Sequence, residues 1–207
     1  MGESRMINNF DELKSLAPCK IGFLGGSFNP VHSGHIALVE HVLEKYLNYA
    51  VFCPHSLHPD KKSILIPIYH RINMISILAK HSACSDRIFI VNPAFIEGTY
   101  NSSFVNLCLA LKDNGVWPSI ICGIDCFSRA SHPEIFQFDH YVGIRNASFE
   151  EEKIRQRVTG NIVFFETQFT TLSSTGIRAG IALNSHELHQ EIKKYIADNS
   201  LFQNIEG

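Results

Sequence analysis

The sequence predicts an α/β domain with a doubly wound, mainly parallel sheet. Short apolar runs, rich in β-branched and aromatic residues, alternate along the chain with longer amphipathic runs. The short runs are apolar at almost every position, so each strand is buried on both faces. That calls for helices above and below the sheet rather than a sandwich with one wet face. The 207 residues are 45% hydrophobic and 18% charged, enough apolar material for one sizeable core.

Taken in order, residues 1–18 read as an N-terminal extension, either a short helix or a flexible leader, ahead of a single domain over 19–207. Strands are expected at 20–24, 50–53, 87–91, 119–122, 140–144 and 162–165. Between them, the span 34–46 carries Ile36, Val39, Val42, Leu43 and Tyr46 as one apolar stripe of a helix. The span 69–80 repeats this with Ile72, Ile75, Leu78 and Ala79, and 103–112 is a largely apolar helix with Val105, Leu107, Leu109 and Leu111. The span 148–157 is strongly charged and belongs outside. Helices at 173–183 and 185–197 close the chain, the last with Leu188, Ile192, Tyr195 and Ile196 on one face.

Lys and Arg number 18 against 20 Asp and Glu, a formal net charge of −2, so a broad nucleic-acid-binding surface is not expected. No apolar run reaches the ~18 residues of a membrane span. No apolar h-region follows Met1, so no secretory signal is expected either. The six cysteines, Cys19, Cys53, Cys84, Cys108, Cys122 and Cys126, form no Cys-x-x-Cys pair, and most lie in apolar runs. They read as reduced, buried thiols of a cytoplasmic protein. The composition leaves homo-oligomerisation open.

The stretch richest in chemistry is Gly25-Gly26-Ser27-Phe28-Asn29-Pro30-Val31-His32-Ser33-Gly34-His35, which follows the first buried strand. Glycine lets backbone approach a ligand closely, and ligands of open α/β sheets bind at the carboxyl ends of strands. A helix then starts near Ser33, and its unpaired N–H groups suit phosphate. His32 and His35, three apart across that start, can share one side and donate hydrogen bonds to phosphate oxygens. His-x-x-His is also a metal-ligand spacing, but it recurs at His55/His58 and His186/His189 in a chain of 11 histidines, which weakens each instance. A plain structural turn is the other alternative. No Gly-Lys pair and no G-x-G-x-x-G occur, which excludes a Walker A loop and a dinucleotide fingerprint.

A second constellation is Leu172-Ser173-Ser174-Thr175-Gly176-Ile177-Arg178. Ser173 or Ser174 is a natural N-cap. Thr175 and Arg178 are three apart, and an arginine there can grip phosphate with two parallel hydrogen bonds. An ordinary cap with an exposed arginine is the bland alternative. Between the two stretches, Gly123-Ile124-Asp125 places a carboxylate just past a strand end, where it could accept from a ribose hydroxyl or cap a helix.

The stretch from Gly25 to His35 resembles the GG-[ST]-F-[DN]-P-x-H-x-GH signature of the nucleotidyltransferase superfamily, and the nearest resemblance is to the nicotinate-nucleotide adenylyltransferase family. Residues 172–178 resemble that family's I-S-S-T-x-I-R motif, with Leu172 for isoleucine. The resemblance spans about residues 20–203 and implies a Rossmann-like fold of the nucleotidyltransferase type. It also implies transfer of AMP from ATP, carrying Mg²⁺, to nicotinate mononucleotide, with deamido-NAD and pyrophosphate as products. By this resemblance His32 and His35 are catalytic. Gly25, Gly26, Ser27 and Phe28 shape the cleft, while Ser173, Ser174, Thr175 and Arg178 hold phosphates. Gly123 and Asp125 match a nucleotide-binding G-x-D motif. Lys61, where the family has a proline-rich substrate loop, could meet a phosphate of the acceptor or stand simply as an exposed lysine; Arg71 reads as mainly structural.

Two elements depart from the family pattern. Thr99-Tyr100-Asn101 keeps the family's tyrosine but not its following threonine, and Ser131-His132-Pro133 stands where the family has a tryptophan. Both elements flank the family's pyridine ring. Tyr100 is therefore an acceptor-site candidate, and His132 or Phe127 is the candidate replacement for the missing aromatic face. Alternatives are another acceptor such as nicotinamide mononucleotide, a cytidylyltransferase, and a non-catalytic nucleotide sensor.

Overall fold

The computed structural model describes residues 5–55, 65–100, 103–130, 132–144, 150–168, 173–179 and 188–202. At its centre lies a sheet of β1 (Arg5–Ile7), β2 (Ile21–Gly26), β3 (Tyr49–Pro54), β4 (Ile88–Val91), β5 (Pro118–Gly123), β6 (Asp139–Ile144) and β7 (Ile162–Glu166). The strand order is β1-β4-β3-β2-β5-β6-β7, and every neighbouring pair is parallel. From β2 the chain moves outward through β3 and β4, then crosses back to β5. The gap above β2 and β5 is therefore the topological switch point, where ligands of open α/β sheets bind.

Two apolar layers follow from the two faces of each strand, since successive side chains point opposite ways. Leu24, Phe52, Ile90 and Ile121 face one layer, which holds α2 (Ser33–Lys45), α3 (Ile68–His81), α8 (Ser174–Arg178) and α9 (Gln190–Asp198). Phe23, Val51, Phe89 and Ile120 face the other, with α1 (Phe10–Lys14), α4 (Pro93–Tyr100) and α5 (Phe104–Asp113). A smaller cluster joins Cys122 and Val142 of the sheet to Phe127 of α6 (Ile124–Arg129) and Ile154 of α7 (Glu151–Arg155). Among the described residues, no helix is long and apolar enough to cross a membrane.

All six expected strands are present within a residue or two of their expected ends. Residues 5–18 hold one element that was not expected: Arg5–Ile7 is the edge strand of the sheet, Met6 in register with Ile90. α1 is a short helix, one of the two forms expected there, with Leu13 fully buried. α4 and α6 were not expected; both are short, and α4 contains Gly98, so burial of Ile96 and Phe127 holds them rather than helix propensity. α9 begins at Gln190 because the His189 ring accepts from the Glu191 amide at 3.2 Å and caps it. Cys53, Cys84, Cys108 and Cys122 are buried as expected, but Cys126 is exposed on α6 and Cys19 half-buried. Burial pushes the thiols of Cys53, Cys108 and Cys122 up, so they stay protonated.

His140 is the buried polar group with the clearest consequence. It is 1% exposed on β6, its Nδ1–H donates to the Phe138 carbonyl at 2.8 Å, and Nε2 has no hydrogen-bond partner among the described residues. Rings of Phe127 and Phe136 lie 5.3 and 6.2 Å away. Desolvation pulls its pKa down to about 4, against the counter-pull of the Phe138 carbonyl and Asp139. The unfolded imidazole takes up its proton near 6.5, so between about 6.5 and 4 unfolding binds a proton. The contribution is complete above that window and lost as pH falls through it, a drop of about 3 kcal/mol in all. Urea unfolding of wild type against His140→Leu should show a much flatter dependence for the variant between pH 7 and 5. Parallel profiles would mean His140 is not the titrating group.

Candidate active site

The end of β2 runs into the glycine-rich stretch directly above the switch point. A Cβ on Gly25 would lie 2.6 Å from the Phe104 ring, and one on Gly26 would lie 3.1 Å from the Phe28 ring. The strand end is thus bare backbone with an aromatic ring on either face. Phe28 takes a left-handed conformation, φ 47°, yet is 2% exposed, with its ring edge-on to Phe52 and His35 at 5.3 and 5.2 Å. That burial holds a conformation an L-residue rarely adopts.

α2 starts immediately after. Its N-terminal residue pair is self-organised: the His32 amide donates to His35 Nδ1 at 3.3 Å, and the His35 amide donates to the His32 carbonyl at 2.9 Å. Because Nδ1 of His35 accepts, its ring proton sits on Nε2, which is the donor side. The two imidazoles pack at 3.9 Å, with His32 1% exposed. No acidic side chain occupies the first turn of this 13-residue helix, so the positive end of its dipole is unopposed.

The second stretch is brought onto the first. Ser173 caps α8, its hydroxyl accepting from the Gly176 amide at 3.1 Å. Ser174 Oγ donates to the Pro30 carbonyl at 2.9 Å, and Arg178 Nη1 donates to the Asn29 carbonyl at 2.7 Å. Arg178 Nη2 also donates to Thr175 Oγ1 at 3.2 Å. A guanidinium has five N–H groups, so these bonds orient it without exhausting its donors. Partial burial lowers the Arg178 pKa. Imidazole, hydroxyl and guanidinium groups thus converge beside bare backbone, a donor set suited to a polyanion.

Arg71 holds this loop from below. It is 1% exposed in α3; Nη1 donates to the carbonyls of Ser27 at 2.7 Å and His55 at 2.6 Å, and Nε donates to the Ile66 carbonyl at 3.1 Å. One guanidinium therefore ties the loop after β2 to the ends of the loop after β3. Burial draws its pKa down to about 10, so it remains charged at neutral pH.

The remaining candidates are spread more widely. Gly123 is the N-cap of α6 and Asp125 lies in its exposed first turn, at the carboxyl end of β5 beside β2. Tyr100 ends α4, with its ring edge-on to Phe95 at 5.5 Å and its pKa raised by burial. His132 is exposed and hydrogen-bonded through Nδ1 to Glu134 at 2.7 Å; no described contact joins it to the glycine-rich loop. Phe127 is 2% exposed in the core between Phe136 and His140, so it offers no face to a ligand, and that expectation is corrected. Lys61, Leu172, Ser131 and Asn101 lie outside the described residues. The carbonyls of Asn29 and Pro30 and the ring of Phe104 carry no sequence signal of their own; only their contacts reveal them.

The sequence profile of the family described as "Cytidylyltransferase-like" matches residues 23–180, which contain both motif stretches. The chain belongs to this family. A probable nicotinate-nucleotide adenylyltransferase of Carboxydothermus hydrogenoformans is 41% identical over 66 residues, 31% of this chain and 33% of that relative. The match thus spans about a third of that relative's length. A protein of the same description from Coprothermobacter proteolyticus is 25% identical over 199 residues, 92% of this chain and 98% of its own. Among solved structures, Plasmodium falciparum nicotinic acid mononucleotide adenylyltransferase complexed with NaAD superposes with a TM-score of 0.68. That likeness covers 88% of this chain and 97% of that one at 16% identity, and speaks to the fold.

Proposed function

We propose that this family member is an adenylyltransferase that moves AMP from ATP to nicotinate mononucleotide, forming deamido-NAD and pyrophosphate. The observation that carries the reading is the docking of Ser174 and Arg178 onto the carbonyls of Pro30 and Asn29, which sets the second phosphate-type motif beside His32 and His35. The relatives named nicotinate-nucleotide adenylyltransferase support the choice of acceptor.

A phosphate oxygen of the mononucleotide attacks the α-phosphorus of ATP. The new P–O bond forms as the bond from the α-phosphorus to the bridging oxygen breaks, and pyrophosphate leaves with that oxygen. The protein forms no covalent bond; it positions the reactants and stabilises charge. His32 and His35 donate to the triphosphate oxygens, where charge accumulates as pyrophosphate departs. Ser173, Thr175 and Arg178 hold the β- and γ-phosphates. Gly25 and Gly26 let the reacting phosphates lie against backbone, and Asp125 accepts from a ribose hydroxyl. Magnesium enters as part of the Mg·ATP substrate; the donors gathered here suit the phosphate oxygens rather than the ion.

The test is pyrophosphate release from Mg·ATP with nicotinate mononucleotide, alongside nicotinamide mononucleotide and a no-acceptor control, with product mass confirmed. The expected result is release with nicotinate mononucleotide and a product of deamido-NAD mass. Release only with nicotinamide mononucleotide would reassign the acceptor, and silence with both would overturn the reading.

A further inference from the structure

We infer that Asn29 is a positioning residue for the triphosphate: its buried side chain fixes the main-chain carbonyl that aims Arg178 at the β- and γ-phosphates. This rests on the adenylyl-transfer reading and adds to it a residue that acts only through another.

Arg178 is the last residue of α8, a helix of five residues. Its bond to Thr175 Oγ1 at 3.2 Å stays within that helix, so it orients the guanidinium only against its own backbone. The bond from Nη1 to the Asn29 carbonyl at 2.7 Å is different, because it ties the guanidinium to the loop that leads into His32. Where Arg178 points relative to the histidines therefore depends on where the Asn29 carbonyl points. A cationic donor makes this one of the stronger hydrogen bonds of a protein, and the guanidinium has further N–H groups for a phosphate.

That carbonyl is held from the inside. Asn29 is 2% exposed, and its Oδ1 accepts from the Ile66 amide at 3.3 Å. The Ile66 carbonyl accepts in turn from Arg71 Nε at 3.1 Å, and Arg71 Nη1 donates to the Ser27 carbonyl at 2.7 Å. These bonds close a circuit that leaves the loop at Ser27 and returns to it at Asn29. Between the two, Phe28 is buried at φ 47°, and Pro30 restricts its own φ just after them. A planar peptide clamped on both sides has little freedom to swing its oxygen. The next carbonyl, that of Pro30, accepts from Ser174 Oγ at 2.9 Å, so α8 docks wholly on this clamped stretch. Leucine would match the size of asparagine but offer the Ile66 amide no acceptor, and the circuit would open.

Equilibrium titration with Mg·ATP, with no acceptor present, tests this apart from turnover. Asn29→Leu should weaken ATP binding about tenfold, the scale of one misdirected charge-assisted hydrogen bond. Asn29→Asp, which keeps an oxygen facing the Ile66 amide, should recover most of that loss. Thermal unfolding confirms that each variant is folded. Should Asn29→Leu fail to fold, Asn29→Ser, whose shorter side chain withdraws the oxygen, carries the same expectation. A double-mutant cycle separates positioning from general loosening of the loop. In an Arg178→Met background, Asn29→Leu should cost less than about twofold more, because the group it aims is gone. Wild-type affinity in the folded leucine or serine variant, no recovery with aspartate, the full loss repeated beside Arg178→Met, or no ATP binding by wild type would each overturn the assignment. The expected pattern in a protein that releases no pyrophosphate with either mononucleotide would instead uphold Asn29 and refute adenylyl transfer.

Discussion

Alanine at His32 or His35 is expected to lower kcat by about 100- to 1,000-fold, the cost of removing one fixed donor from a site of developing charge. The two losses differ in kind. His32 is fully packed against its partner ring and caps α2 through its carbonyl, so its removal takes a donor and leaves a void. His35 also accepts the His32 amide, so His35→Ala leaves that amide unpaired at a helix start, a further cost of about 1 kcal/mol in stability. Steady-state kinetics with both substrates varied, paired with thermal unfolding, separates these effects. A transition-state role shows as a fall in kcat with little change in the KM for ATP. Turnover of the double variant within about threefold of wild type would remove both residues from the mechanism.

Arg71→Met is expected to cost about 3–5 kcal/mol of folding stability, the largest effect of any single change considered. Methionine fills much of the space but donates nothing, so the carbonyls of Ser27, His55 and Ile66 lose their charged donor inside the protein. Arg71→Lys should recover only part of the loss, because a single ammonium cannot reproduce a planar fork reaching three acceptors. Urea unfolding gives the number directly. A loss below about 1 kcal/mol would show that the loops after β2 and β3 hold their places without this residue.

The strands from β2 to β7 were legible because burial on both faces writes an unbroken apolar run into the sequence. β1 was not, since three residues beginning with an arginine carry no such run; only pairing with Phe89, Ile90 and Val91 makes them a strand. The two motif stretches were legible for a similar reason. Bare backbone, a capped helix start and paired imidazoles each demand particular residue types at fixed spacing. Their mutual docking was hidden, because it passes through main-chain carbonyls that any residue supplies. The acceptor side was misread at Phe127, since a phenylalanine facing a ligand and one facing a core look identical in sequence. Here the packing of Phe136 and His140 decides for the core.

The contact between Ser174 and Pro30 bridges 144 residues of chain. α8 is only five residues long, too short to persist as a helix alone. Closing so non-local a contact carries a loop-entropy cost that the intervening β–α units reduce once they have formed. Under the proposed function, the set of groups that holds the phosphates is complete only once this contact has closed, and nucleotide that binds only the finished arrangement would pull the equilibrium toward it.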